Sequence, residues 1–82
     1  MINVLFFAAI REQLDCEQLE INSEHIATIA DLKQQLATKG GDWQQVFQDS
    51  TLLAALNQDM AEDTAPLSAN DTVAFFPPVT GG

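Results

Sequence analysis

The chain has one cysteine, one histidine, no tyrosine and only three basic residues among 82. Each scarcity excludes something. A lone Cys16 forms no internal disulfide, and with His25 it supplies too few ligands for a zinc site. Three basic residues against twelve acidic ones give a formal charge of −9. That excess repels phosphate backbones and anionic membranes, which excludes nucleic-acid binding through a basic patch and favours, beyond solubility, a partner with a basic surface. No apolar run approaches the ~20 residues needed to span a bilayer. The opening Met-Ile-Asn-Val-Leu-Phe-Phe-Ala-Ala-Ile is followed rather than preceded by charge, the reverse of a secretory leader. The expectation is a soluble domain of the reducing cytoplasm.

What is present fits one small domain. A composition 46% hydrophobic and 18% charged is too apolar for disorder. At this length a fold buries only about 60% of the surface its unfolded chain exposes, so a deep enclosed active site is not expected.

The β-rich run Ile2 to Ile10, bounded by Arg11 and Glu12, predicts a strand. Its even positions, Ile2 to Ile10, form one face, and Asn3, Leu5, Phe7 and Ala9 form the other. Both faces are largely apolar, as in a central strand covered on each side. Glu17 to Ile21 alternates polar and apolar residues and predicts a half-exposed strand in a hairpin with the first. Thr28 reads as an N-cap with Asp31 three residues on, Ile29, Leu32 and Leu36 follow at helical spacing, and Gly40-Gly41 stops the helix. Asp42 reads as the cap of a shorter helix, with Gln45 as its capping-box partner and Trp43, Val46 and Phe47 as its apolar side. Trp43 reads as a core or lid aromatic beneath a connecting loop. Thr51 to Leu56 predicts a third strand, Asn57-Gln58-Asp59 a turn, and Met60 to Glu62 a short fourth segment. Pro66 to Asp71 is loop chemistry, Thr72 to Phe76 the last strand, and Pro77-Pro78 its end.

A hairpin, a helix over one face and returning strands describe an α+β roll. If the first and last strands lie side by side at the centre, the uncovered face carries Phe7, Ala74 and Phe76, an aromatic patch beside the C-terminal segment. Such patches on small domains mark interfaces; the alternative is that Phe7 and Phe76 cover each other.

The sequence closes on Phe75-Phe76-Pro77-Pro78-Val79-Thr80-Gly81-Gly82. Six residues past the last strand reach ~20 Å when extended. Two prolines stiffen the base of that arm, and two glycines without Cβ atoms let its end enter a narrow channel.

On these residues the chain resembles the ubiquitin-like β-grasp sulfur carriers, and among them the small subunits of molybdopterin synthases. The resemblance rests on Val4-Leu5-Phe6-Phe7-Ala8 with Arg11-Glu12, on Leu52-Leu53-Ala54-Ala55 followed by Asn57-Gln58, and above all on Val73 to Gly82. It implies a β-grasp domain over 1–76, with a mixed sheet and one main helix on one face, and a flexible reactive tail over 77–82. It implies that an ATP-dependent activating enzyme adenylates Gly82 and that sulfur from a persulfide displaces AMP. The resulting thiocarboxylate would enter the large synthase subunit, in a heterotetramer, and donate sulfur to cyclic pyranopterin monophosphate to build its dithiolene. In that picture Gly82 and Gly81 are the reactive end, and Phe7, Met60, Phe76, Pro77, Pro78, Val79 and Thr80 face the partner. No cofactor or metal is bound by the chain itself; ATP serves the activating enzyme.

The residues agree in lacking a nucleophile–base–orienter set. His25 falls in a turn, and Cys16 lies between Asp15 and Glu17, which oppose a thiolate. Arg11 is left to pair within the chain or with a partner. Three other readings share parts of the pattern: a sulfur carrier for thiamine thiazole synthesis, a ubiquitin-like modifier joined to lysines through Gly82, and an interaction module with an inert tail.

Overall fold

The computed structural model describes residues 1–78. Five strands form one mixed sheet in the order β2-β1-β5-β3-β4. They are β1 (Ile2–Phe6), β2 (Gln18–Ile21), β3 (Leu53–Leu56), β4 (Asp59–Ala61) and β5 (Thr72–Phe76), joined by helices α1 (Ala8–Leu14), α2 (Ile29–Ala37) and α3 (Asp42–Gln48). The first and last strands are central and parallel, with Val4 opposite Val73 and Phe6 opposite Phe75, and the other pairings are antiparallel. This is the α+β roll expected from the element order, and the ubiquitin-like β-grasp that the resemblance implies.

Alternation assigns the two sheet faces. Ile2, Val4 and Phe6 of β1 and Val73 and Phe75 of β5 are almost wholly buried, in one cluster with Ile29, Leu32 and Leu36 of α2 and with Val46 and Phe47 of α3. All three helices therefore cover the same face. Aromatic rings fill the centre: Phe47 meets Phe75 edge-on at 5.0 Å, and Trp43 meets Phe6 edge-on at 5.4 Å. Half-buried Trp43 is the lid its position suggested, with the Lys39 ammonium 5.2 Å from its ring centre.

The first predicted strand is too long. The chain leaves β1 at Phe6, and Ala8 to Ile10, expected to extend it, begin α1 instead. Alanine, arginine, glutamate, glutamine and leucine are strong helix formers. Ile10 and Leu14, four apart, are its buried stripe, while Arg11, Glu12 and Gln13 are exposed. The charges read as a strand boundary are thus the solvent face of a helix. The connection between β1 and β2 is accordingly this helix rather than a tight hairpin turn.

The capping box of α2 is as read. Thr28 Oγ1 accepts from the Asp31 N–H at 3.3 Å, and Asp31 Oδ2 accepts from the Thr28 N–H at 3.2 Å. Its next free N–H groups, on Ile29 and Ala30, donate to the carbonyls of Ala65 and Asp63, and Lys33 pairs with Asp63 at 2.6 Å. The loop after β4 is thereby fastened over the helix start. Beyond α2, Gly40 and Gly41 take φ of +75° and +56°, a backbone that favours glycine. The cap of α3 differs from expectation. Gly41 occupies the N-cap, Asp42 is the first helical residue, and no side chain caps the helix. Two consecutive positive-φ glycines place the helix start one residue earlier than expected, so Asp42 falls in the first turn instead of at the cap. Strand β3 begins at Leu53 rather than Thr51, because Asp49 Oδ1 accepts from both the Thr51 N–H and hydroxyl and holds that stretch in a turn.

Candidate functional site

The face of the sheet turned away from the helices is left open by the described residues. Register places a row of side chains across it: Gln18, Leu5, Ala74, Ala55 and Met60 are successive cross-strand partners from β2 to β4. Three are apolar on the central strands, where two alanines make the middle shallow. Leu5 and Phe7 wall one side of a hollow of about 470 Å³, floored by Ala55 and Ala74 and closed at its other end by Asn57, Gln58 and Thr72. The sequence alone does not show this hollow, because Ala55 and Gln58 join it only through pairing with distant strands.

Phe7 is 45% exposed and Met60 63%, which with Met1 makes them the exposed large apolar residues among those described. Phe7 sits where β1 turns into α1, and its N–H donates to the Phe75 carbonyl at 3.1 Å. That bond holds it against the end of β5. Phe76, half-buried at the last position of β5, pairs with Leu53 and shares the face of Ala74 by alternation. The aromatic pairs of the described residues include neither Phe7 nor Phe76, so the two rings do not cover each other. The fold thus gathers Phe7 and Phe76 at one end of this face and carries Met60 to its far edge strand. Pro77 is half-buried and Pro78 exposed. Both line a second groove, of about 300 Å³, whose apolar wall is Ile10, Val46 and Leu52. The root of the C-terminal segment therefore runs between the open face and a groove formed by α1 and α3. Val79, Thr80, Gly81 and Gly82 lie outside the described residues.

A hydrogen-bonded brace stiffens the polar end of the hollow. Asp71 accepts from the Ser68 N–H at 2.8 Å and from the Asn57 amide at 3.1 Å, and Asn57 Oδ1 accepts from the Thr72 N–H at 3.0 Å. The Ser68 N–H, and after it the Asn57 amide, hold the Asp71 carboxyl below its ordinary value. A carboxylate with a depressed folded-state value contributes stability above the unfolded carboxylate range, and that contribution is lost as pH falls through the folded value. We expect urea midpoints to decline from about pH 5 towards pH 2, and Asp71→Asn to flatten part of that decline. An acid limb unchanged in the variant would remove Asp71 as a cause. Asp49 is lowered likewise by the Thr51 hydroxyl and N–H, so some dependence should persist.

The described residues assemble no catalytic set. Among them no three His, Cys, Asp or Glu side chains gather to hold a metal. His25 is exposed at φ +71°, and half-buried Cys16 lends its thiol hydrogen to the Gln18 carbonyl at 3.4 Å. Arg11 is exposed on α1 and makes no ion pair among the described residues. No described helix is long and apolar enough to cross a membrane. What the surface offers is an open apolar face beside the root of the C-terminal segment.

Comparison with known proteins agrees with this fold. The molybdopterin synthase sulfur carrier subunit of Escherichia coli (strain K12) is 43% identical over 82 residues, covering all of both chains. That of Haemophilus influenzae is 38% identical, again over the whole of both. SAMP1 from Haloferax volcanii superposes with a TM-score of 0.80 at 24% identity, over 99% of this chain and 98% of that one. A chain of the complex of subunits 1 and 2 of the molybdopterin-converting factor from Helicobacter pylori gives a TM-score of 0.69 at 24% identity, over 99% and 97%. The ThiS family matches residues 4–82. On that match and the end-to-end identity to its curated relatives, the chain belongs to the ThiS family.

Proposed function

We propose that the chain is the sulfur carrier subunit of a molybdopterin synthase. The observation that carries this is the 43% identity to the Escherichia coli carrier, aligned to the last residue of both chains. Residues 1–76 act as the grasp domain and 77–82 as the reactive arm. A free carboxylate at Gly82 is a poor acyl electrophile, so an activating enzyme converts it with ATP to an acyl adenylate, releasing pyrophosphate. A persulfide sulfur attacks that carbonyl and AMP leaves; a thiol then cleaves the S–S bond and leaves a thiocarboxylate. Thiocarboxylic acids are much stronger acids than thiols, so the sulfur is ionised and nucleophilic at neutral pH.

The open face suits the other half of the task. Phe7, Phe76 and Met60 dock on the large subunit while Pro77 and Pro78 aim Val79, Thr80, Gly81 and Gly82 into its pocket, where sulfur passes to cyclic pyranopterin monophosphate. The large subunit supplies the catalytic side chains, in a heterotetramer, and this chain supplies sulfur on an arm. The net charge of −9 suits a basic groove around a carboxylate tail and a phosphorylated substrate. We place the reaction in the cytoplasm, where a lone thiol such as Cys16 stays reduced.

The test is the fragment mass of the C-terminal peptide from protein isolated with its native partners. The expected result is sulfur in place of one oxygen, localised to Gly82. Intact mass is inadequate, because exposed Met1 and Met60 take up oxygen with nearly the same mass change. An isopeptide to a target lysine would replace this reading with the modifier one. Gly82 found only as free acid, even after incubation with ATP, activating enzyme and sulfur donor, would overturn both.

A further inference from the structure

We infer that Gln58 is a partner-binding residue of the open face, its carboxamide pairing with a backbone amide of the large subunit; this rests on the sulfur-carrier reading. The first reason is backbone strain. Asn57 and Gln58 form a two-residue loop between β3 and β4 with φ of +50° and +77°. Both positions of such a loop are left-handed, and glycine is the favoured second residue. Glutamine there bears the steric cost of its Cβ.

Asn57 accounts for its own place. Asparagine tolerates the left-handed region, and its amide donates to Asp71 and accepts from Thr72. Gln58 has no such role in the fold. It is exposed, and its carboxamide makes no hydrogen bond among the described residues. A strained residue with no local compensation points to a use elsewhere.

Its position says what use. Gln58 borders the hollow of about 470 Å³ whose walls Leu5, Phe7, Ala55 and Ala74 are apolar. Neighbouring Asp59 and Asp71 carboxylates only accept hydrogen bonds, whereas a carboxamide also donates. An apolar hollow with one uncommitted amide at its rim fits an apolar side chain whose own backbone amide lies beside it. The occupant is the large subunit, because Phe7 on the wall of the hollow is bonded to Phe75 at the root of the tail. A partner that takes in the tail covers this hollow.

Stability and binding should then move in opposite directions. For the full 82-residue chain, Gln58→Gly is expected to raise the melting temperature by about 4 °C as the left-handed strain is relieved. The same change should weaken the dissociation constant for the large subunit of the same organism by about fivefold, as one interfacial hydrogen bond is lost. Calorimetric titration with Phe7→Ala run alongside separates the outcomes. If the wild-type chain does not bind, the sulfur-carrier reading itself fails; if it binds and Phe7→Ala binds as tightly, the docking face is wrong. If Phe7→Ala weakens binding and Gln58→Gly does not, the role of Gln58 alone is overturned. A lowered melting temperature in Gln58→Gly would also overturn it, since the strain would then be absent.

Discussion

Deleting Gly81 and Gly82 should reduce sulfur transfer to background while leaving the melting temperature of the domain unchanged. On the proposed chemistry the loss is complete, because the reactive atom itself is removed, not merely a contact that positions it. Activation would have to occur on Thr80, whose β-branched side chain crowds the carbonyl that must enter a narrow channel. The retained fold follows from where the core ends. Among the described residues its last member is Phe75, and β5 is complete at Phe76. The check is a reconstituted synthase assay beside a thermal melt of the same preparation. Gly82→Ala grades the same argument: it keeps a carboxylate and adds one methyl, so it should slow transfer or insertion without unfolding. A truncated chain that still donates sulfur would end the carrier reading. One that unfolds would show that the tail is part of the domain.

The second large effect is structural. Phe75→Ala should cost about 3–5 kcal/mol, the range for deleting a fully buried aromatic ring. Phe75 has no exposed surface and stacks on Phe6 at 6.4 Å as well as meeting Phe47 edge-on. Its strand is hydrogen-bonded on both sides, to β1 and β3, so the backbone cannot move in to close the cavity. For a domain of this size that corresponds to a fall of about 15–30 °C in melting temperature. It would remove much of a stability that totals roughly 5–15 kcal/mol. Phe76→Ala is the natural control. The adjacent ring points to the open face, so its loss should cost well under half as much stability and should act on docking instead. Equal destabilisation by both variants would mean that the assignment of the two faces is wrong.

Much of the architecture is readable from local pattern. Thr28 with Asp31, the spacing of Ile29, Leu32 and Leu36, the glycine pair after the helix, and the proline pair after Phe76 are signals carried within a few residues of where they act. They are therefore legible in the chain. Helix α1 is not, because its seven residues offer only one buried repeat, Ile10 to Leu14, and follow directly on a strand of the same apolar character. The cap of α3 is misread for a related reason: an acidic residue after glycines suits either the cap or the first turn, and only the backbone angles of Gly41 decide.

The docking face divides along the same line. Phe7, Ala74 and Phe76 can be assigned to it from alternation once the first and last strands are placed together. Ala55, Gln58 and the hollow they border cannot, because their neighbours lie on β1 and β5, far away in sequence. The order of residues thus determined the elements other than α1, the acidic character and the Gly-Gly end, all properties of adjacent residues or of the chain as a sum. Tertiary structure decided which apolar residues are core and which are left outside. Burial is a property of the packed sheet: Phe75 and Phe76 have the same side chain, and only the strands on either side and the helices over one face make one structural and leave the other facing outward.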